Sequence, residues 1–466
     1  MTPGRQQYLR LKAQHPDAVL LYRMGDFYEM FDEDAHTAAR VLGITLTSRE
    51  FGRGGRIPMA GIPHHALNGY LRRFLRAGYR LAISEQMTEP GKGLVEREIV
   101  RVLSPGTVDD PALLDSNRPN YLLAIAEHGA LVGLAWVDVS TGACEYRVMP
   151  VDDPHGTLAF IEQLAPAEIV GPEDDDLDDL ERLTIRPVPG VWTIDDAERR
   201  YVARFPGGEP LRPAASRAVG VLIGYLERGH AVLLRAMECP IPFQSQGVMV
   251  LDRQTRINLE IDLRSRDRHD LFDLLNRTKT APGARRLHAM LNRPLTDQSE
   301  LASRLDAVQE LVDSSALRSI LAKGLTGMLD LERLATRVAT GAIRARELMS
   351  LAETLTAAGQ LSDQIGGHVR SSLLIQAVGE TEPLPEVCVR ITSALDAESS
   401  RLLQSGIDSR LDALYEAVDA DRAIIASHEK IERERTGIRS LKVGYNKVFG
   451  YYIEVSRANR LPLPDD

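Results

Sequence analysis

Cysteine is scarce in this sequence. Cys144, Cys239 and Cys388 are the only three in 466 residues, far apart and without metal-binding spacing. That argues against a disulfide framework or a zinc site and fits a reducing, cytoplasmic setting. No apolar run reaches the ~18 residues of a membrane span, and the N-terminus lacks the apolar core of a secretion signal. Excess positive charge is also missing: the formal net charge is −10, so bulk charge does not coat this protein onto DNA. A phosphate-binding loop of the form G-x-x-x-x-G-K-[ST] is absent. The nearest run, Gly91-Lys92-Gly93, lacks the leading glycine at the right spacing and a hydroxyl after the lysine. ATP hydrolysis is therefore not expected of this chain.

What is present is unevenly charged. Residues 1–107 hold fifteen Lys/Arg against eleven Asp/Glu, a net +4, which leaves −14 on the remainder. A mildly basic first part on an acidic body suits contact with nucleic acid at selected surfaces. At roughly 100–200 residues per domain, the length suggests three or four domains.

The first 107 residues read as mixed α/β. A helix over 6–14 precedes a strand-like segment over 19–28, and Asp32-Glu33-Asp34 opens a helix that ends near Gly43. Residues 44–47 read as a short strand and 49–56 as a basic Gly/Arg loop, either a phosphate contact or a solvated hairpin tip. Leu67, Tyr70, Leu71, Phe74 and Leu75 mark a helix closed by Gly78, with Arg72, Arg73 and Arg76 on its other side. Residues 81–84 return as a strand. Turn-rich residues 108–118 read as a linker.

Beyond it, 121–125, 131–140 and 143–148 form three strands joined at His128-Gly129 and Thr141-Gly142, followed by a helix over 154–164 and a strand at 169–170. From 240 the period is helical. Leu287, Met290 and Leu291 mark one helix. Leu331, Leu334, Ala335 and Val338 share a face of the next, and Leu348, Leu351, Ala352 and Leu355 mark a third. A long helix over 408–435 spans about 40 Å at ~1.5 Å per residue. After Gly437 the period becomes β, with paired strands over 441–445 and 451–456.

One short run concentrates the chemistry: Arg23-Met24-Gly25-Asp26-Phe27-Tyr28-Glu29-Met30-Phe31. On an extended backbone Phe27 and Glu29 project from one face, roughly 6–7 Å apart. A ring can wedge against a base, and an ionised carboxylate can only accept hydrogen bonds. Pattern alone favours a core Phe27 and a solvated Glu29, because isolated aromatics usually serve packing.

The surrounding motifs carry a resemblance. Gln6-Gln7-Tyr8-Leu9, Asp26-Phe27-Tyr28-Glu29 and Pro58-Met59-Ala60-Gly61-Ile62-Pro63-His64-His65 come first. Leu251-Asp252 with Thr255, Asn258, Leu259 and Glu260 follows, then Arg433-Glu434-Arg435-Thr436-Gly437 and Gly450-Tyr451-Tyr452. In this order, across essentially the whole chain, the sequence closely resembles the bacterial DNA mismatch-repair MutS family. The resemblance implies a multidomain α/β plus α protein: a mixed α/β mismatch-recognition domain (1–107), a linker (108–118), an RNase H-like connector (119–239), a helical core and lever (240–436) and the incomplete beginning of a β-rich clamp (437–466).

It also implies recognition of mismatched or unpaired bases in duplex DNA, with Phe27 and Glu29 as the reader. Met24, Arg49, Arg53, Arg56 and Met59 are further candidate DNA contacts, joined by Lys442, Asn446 and Lys447 in the clamp. Implied partners are mismatched DNA, MutL through the connector, and a second copy in the intact family protein, with a monomer expected for this chain. ATP and magnesium belong to a C-terminal family domain that this sequence does not contain, so no cofactor, no metal and no catalytic residue are expected here. Two alternatives stand beside this reading. One is an RNase H-like nuclease using the connector carboxylates, with Asp138 where nucleases of that fold place a metal-binding carboxylate, although the acids Asp174, Asp175, Asp176, Asp178 and Asp179 lie in a polar, loop-like run instead of converging on it. The other is a connector–lever scaffold that binds a repair partner without binding DNA itself.

Overall fold

The computed structural model describes residues 2–50, 55–88, 95–173, 183–188, 193–243, 247–249, 251–261, 270–396, 402–446 and 450–455. The chain divides into two compact units, residues 1–383 and 384–466. The first unit opens with α1 (Pro3–Gln14), β1 (Ala18–Met24), β2 (Phe27–Phe31), α2 (Glu33–Leu42), β3 (Thr47–Glu50), β4 (Arg56–Pro63), α3 (Leu67–Arg76), β5 (Arg80–Gln86) and β6 (Arg97–Leu103). Its strands form one sheet in the order β3-β4-β2-β1-β5-β6. The period of two on β1 divides the core between the sheet faces: Val19 and Leu21 pack under α2 and α3, whereas Ala18, Leu20 and Tyr22 pack under α1.

Three expectations for this sheet require correction. Residues 19–28 are not one strand. Gly25, at φ +60°, turns the chain in a two-residue loop, and Met24 pairs antiparallel with Phe27. Glycine accepts that backbone without a Cβ penalty, and Gly-Asp between apolar runs is a hairpin signal. The strand expected over 44–47 begins only at Thr47, because it forms by pairing with β4, from Thr47 opposite Met59 to Glu50 opposite Arg56. Arg49 and Arg56 thus lie on strands rather than in a loop; the tip between them, 51–54, lies outside the described residues.

The second sheet holds β7 (Tyr121–His128), β8 (Leu131–Asp138) and β9 (Cys144–Pro150), then α4 (Pro154–Leu164), β10 (Glu168–Pro172), β11 (Ile185–Val188), α5 (Ile194–Arg204), α6 (Pro213–Gly229) and β12 (Ile241–Pro242). Strand order is β11-β10-β7-β8-β9-β12. β7, β8 and β9 run antiparallel, and β10 pairs parallel with β7 and β11. On one face α4 sets Phe160, Ile161 and Leu164 against the buried Trp136. On the other lies α6, whose residues from Ala214 to Leu226 are almost all buried. At Gly133 on β8 the helix comes so close that a Cβ would sit 1.9 Å from the Ala214 carbonyl oxygen.

Where the chain leaves the first sheet, ahead of the 108–118 stretch, Ser104 to Val108 are buried. Glu168 sits beneath this turn. It accepts hydrogen bonds from Ser104 Oγ, from Gly106 N at 3.0 Å, from Arg186 Nε at 2.8 Å and from Tyr225 OH at 2.7 Å. Arg186 continues to Asp17, which also holds Arg80 of the first sheet. His230 closes the group, its Nε2 lying 3.3 Å from Thr107 Oγ1. Burial, and then the nearby Arg80, push its pKa down from 6.5 to about 4, against the opposing pull of Glu168 and Asp109.

The helical part of this unit comprises α7 (Arg253–Asn258), α8 (Leu271–Leu275), α9 (Ala281–Asn292), α10 (Gln298–Asp313), α11 (Ser315–Leu325), α12 (Leu331–Thr340), α13 (Ala345–Gly366) and α14 (Ser372–Gly379). The face expected on α12 is not the buried one. Leu334 is buried, but Ala335 and Val338 are exposed, and Arg333, Thr336 and Thr340 face inward instead. Arg333 donates to Ser140 Oγ and to the Asp115 and Arg118 carbonyls at 3.1–3.3 Å. On α9 the buried Arg285 grips Asp330 with both terminal nitrogens at 2.6 and 2.8 Å.

The second unit contains α15 (Pro385–Ala394), β13 (Leu395–Asp396), β14 (Leu402–Leu403), α16 (Ser409–Thr436), β15 (Lys442–Asn446) and β16 (Gly450–Glu454). Asp408 caps α16, accepting from the Arg410 and Leu411 amides, and Gly437 ends it at φ +69°. Its 28 residues span about 42 Å, and none of them is buried. β15 and β16 pair as an antiparallel hairpin.

Gly133→Ala is expected to force β8 from α6 and cost at least about 1–3 kcal/mol, the usual range for overpacking, read as a lowered denaturant midpoint. His230 supplies a pH signature. The unfolded imidazole takes up a proton near 6.5 and the folded one only near 4, so the unfolded state binds more protons between these values. Stability should therefore fall as pH drops from 6.5 towards 4. Equilibrium melts of His230→Gln across that window should show a flatter decline than the parent protein.

Candidate nucleic-acid interface

The alternation of β2 sets the site. Tyr28 and Met30 enter the core beneath α2 and α3, whereas Phe27, Glu29 and Phe31 share the opposite face, the one that α1 covers. Cover is incomplete along that face. Phe31 lies edge-on against Tyr8, ring centroids 5.0 Å apart, and is 1% exposed. Two residues back, Phe27 is 48% exposed.

Glu29 stands between them. Its carboxylate is ion-paired through Oε2 with Arg49 on β3. Oε1 receives no hydrogen bond among the described residues. The same guanidinium lies 3.5 Å from Met24 Sδ. Met24, Ile57 and Met59 form the partly buried floor beside the α1 core. Across β4 the neighbour of Glu29 is Gly61. A Cβ there would stand 3.9 Å from Glu29 Cγ and 4.0 Å from the Phe27 ring, so a longer side chain would enter the space between the two.

The hairpin that carries Phe27 is firmly held. The His64 amide donates to the Asp26 carbonyl at 2.8 Å. Arg97 Nε donates to the Arg23 carbonyl at 2.5 Å, and its guanidinium stacks 4.8 Å from the Tyr22 ring. The Tyr28 hydroxyl donates to Glu85. Burial first, and then that carboxylate, push its pKa up to about 12. Gly61 and His64 stand in the sequence reading only as members of the 58–65 motif, without a role, and Arg97 is a support that it does not single out. For Arg97 nothing local signals the role, since its partner Arg23 lies 74 residues away.

Of the candidate residues, Met24, Phe27, Glu29, Arg49 and Met59 thus come together on one sheet face. Arg56 does not join them. It pairs opposite Glu50, out of step with Arg49, and donates to Ser48 Oγ at 2.8 Å. Arg53 and Lys447 lie outside the described residues. Lys442 is exposed on β15 opposite Glu454, and Asn446 closes that hairpin opposite Gly450.

Asp138, the candidate nuclease carboxylate, is buried and occupied. Oδ2 accepts from the Asn120 amide at 3.0 Å, and Oδ1 accepts from the Ser140 amide at 3.0 Å and from Ser140 Oγ at 2.6 Å. It shapes the turn that Arg333 grasps. Residues 174–179 lie outside the described residues. No group of three or more potential metal ligands occurs among the described residues.

Comparison with known proteins agrees on one family. Models described as MutS domain I, MutS domain II and MutS domain III match residues 2–112, 120–231 and 254–443. The whole chain aligns at 39% identity with 56% of the DNA mismatch repair protein MutS of Dehalococcoides mccartyi strain 195. It aligns at 38% identity with 55% of the protein of that name from Anaeromyxobacter sp. strain Fw109-5, and at 38% with 57% of that from Thermosynechococcus vestitus. The chain spans about half the length of the curated relatives it matches.

Phe27 and Phe31 give an internal comparison on one strand face. Phe27→Ala should leave the thermal midpoint nearly unchanged, because the ring is half in solvent. Phe31→Ala should cost about 3–5 kcal/mol, as removal of a buried phenylalanine does. Parallel denaturant titrations of the two variants measure the contrast.

Proposed function

This chain belongs to the MutS family, and on that premise we propose that it recognises mismatched or unpaired bases in duplex DNA. The single observation that carries the reading is Phe27: a large aromatic side chain left 48% exposed, beside a carboxylate, on a hairpin otherwise held on every side. An aromatic ring with no core to fill suits insertion into a minor groove. Bending and unstacking cost several kcal/mol, and a mispaired step yields more cheaply than a paired one. Selectivity then follows from deformability, with Phe27 stacked on the displaced base and Glu29 accepting its hydrogen bond. Met24, Arg49 and Met59 flank that contact.

The remaining parts take family roles within the same proposal. Residues 1–107 are the mismatch-recognition domain and 108–118 the linker. Residues 119–239 are the RNase H-like connector that meets MutL, 240–436 the helical core and lever, and 437–466 the start of the clamp, with Lys442, Asn446 and Lys447 near the DNA backbone. The order of three antiparallel strands followed by two parallel ones supports the connector assignment. The protein acts in the cytoplasm, as a homodimer in the intact family protein, and this chain by itself is a monomer. Because the sequence holds no phosphate-binding loop, ATP and magnesium are not among the ligands of this chain.

Titration of fluorescent duplexes with and without a single unpaired base, at one fixed salt, tests the proposal. Phe27→Ala should lower affinity for the unpaired-base duplex roughly ten- to a hundredfold, given that base–aromatic stacking contributes about 1–3 kcal/mol. Matched-duplex affinity should hold, since phosphate contacts carry it. An unchanged preference in Phe27→Ala removes the wedge.

A further inference from the structure

The two oxygens of Glu29 have different surroundings. Oε2 is occupied by Arg49, whereas Oε1 accepts nothing among the described residues although the side chain is only 14% exposed. A carboxylate this far out of water, beside an aromatic ring, is costly to keep ionised without a cation nearby. Arg49 answers this difficulty from a neighbouring hairpin. β3 is fixed on β4 by four consecutive pairs, and β4 in turn is fixed on β2. Gly61, opposite Glu29, leaves the space above the strand open.

We infer that Arg49 is a positioning residue for base reading: it ties down Oε2 and presents Oε1 beside Phe27 as the acceptor for an N–H on a displaced base. The inference rests on the proposed mismatch reading and deepens it. It gives Arg49 a different task from a phosphate contact, and the two tasks have different signatures. A phosphate contact acts equally on all duplexes and contributes to the salt dependence of binding. A positioning residue acts only on the duplex that offers a displaced base, and only while Glu29 is there to be positioned.

A double-mutant cycle separates them. Arg49→Gln, Glu29→Gln and the double variant are titrated against matched duplex and against duplex with one unpaired thymine, over a series of salt concentrations. Arg49→Lys and Phe27→Ala run alongside, and thermal melts monitor the fold of every variant. Arg49→Gln should reduce the preference for the unpaired base about tenfold, as expected for loss of a charge-assisted hydrogen bond. Glu29→Gln should do the same, and the double variant should lose no more than either single one. Arg49→Lys, which keeps the charge, should retain most of the preference. The salt slope on matched duplex should not move.

Losses that add in the double variant overturn the inference. So does a slope reduced by about one with preference intact, which marks a phosphate contact. Should Arg49→Gln melt early, Arg49→Lys carries the test, and its loss of preference at native stability overturns the inference. Phe27→Ala keeps the two levels distinct. If that variant keeps its preference, or if no variant binds, the mismatch reading fails and this inference falls with it. If Phe27→Ala loses preference while the Arg49 and Glu29 losses add, only the present inference falls.

Discussion

The candidate interface depends on the register of one five-residue strand. On β2 a period of two sends Tyr28 and Met30 into one core and Phe27, Glu29 and Phe31 to the other face. A slip of one residue would bury Glu29 and expose Tyr28 and Met30. Register is therefore secured from both sides: by the tight turn at Gly25 towards β1, and by five consecutive pairs with β4. The α1 helix then supplies the asymmetry. It covers Phe31 through Tyr8 and stops short of Phe27, so one strand face becomes core at one end and surface at the other.

A second constraint joins the two sheets. Glu168 is buried and has both oxygens occupied by donors from the chain between the sheets, from β11 and from α6. A satisfied polar group of this kind contributes little net stability against an apolar substitute, but removing one partner leaves a buried charge uncompensated. It thereby favours a single arrangement of the sheets. Arg285 and Arg333 act alike on the helical side. Their grip on Asp330, Ser140 and the 115–118 backbone fastens α9 and α12 to the end of β8.

The legibility of the sequence followed the range of the interactions. Phe27 and Glu29 share a face because of the strand period, a local property. The ends of α2, α4 and α16 likewise carry their own signals in Gly43, Pro154 and Gly437. The turn at Gly25-Asp26 is equally local, but strand-like alternation on both sides of it masks its signal. The Arg49–Glu29 pair could not be read at all: it requires β3 to pair with β4 and β4 with β2. The inward faces of α9 and α12 were missed for the same reason. Arg333 is buried because Ser140, 193 residues earlier, receives it. Hydrophobic periodicity cannot anticipate a polar face that is satisfied from so far away.

The bare surface of α16 has a further consequence. With no residue of the helix buried, its hydrogen bonds depend on the Asp408 cap, the Gly437 stop, exposed i, i+3 pairs such as Arg422 with Asp419 and, near its end, the bonds that Arg433 donates to the Leu441 carbonyl and that Glu429 accepts from the Val443 amide. Its amides are therefore guarded by local helix–coil equilibrium rather than by cooperative unfolding of a core. In hydrogen exchange they should open in small segments, with protection that fades on warming well before either sheet melts. A rod of this kind conveys displacement along its axis only while it remains helical. Whatever packs along α16 would then set not just its position but how much mechanical coupling it can sustain.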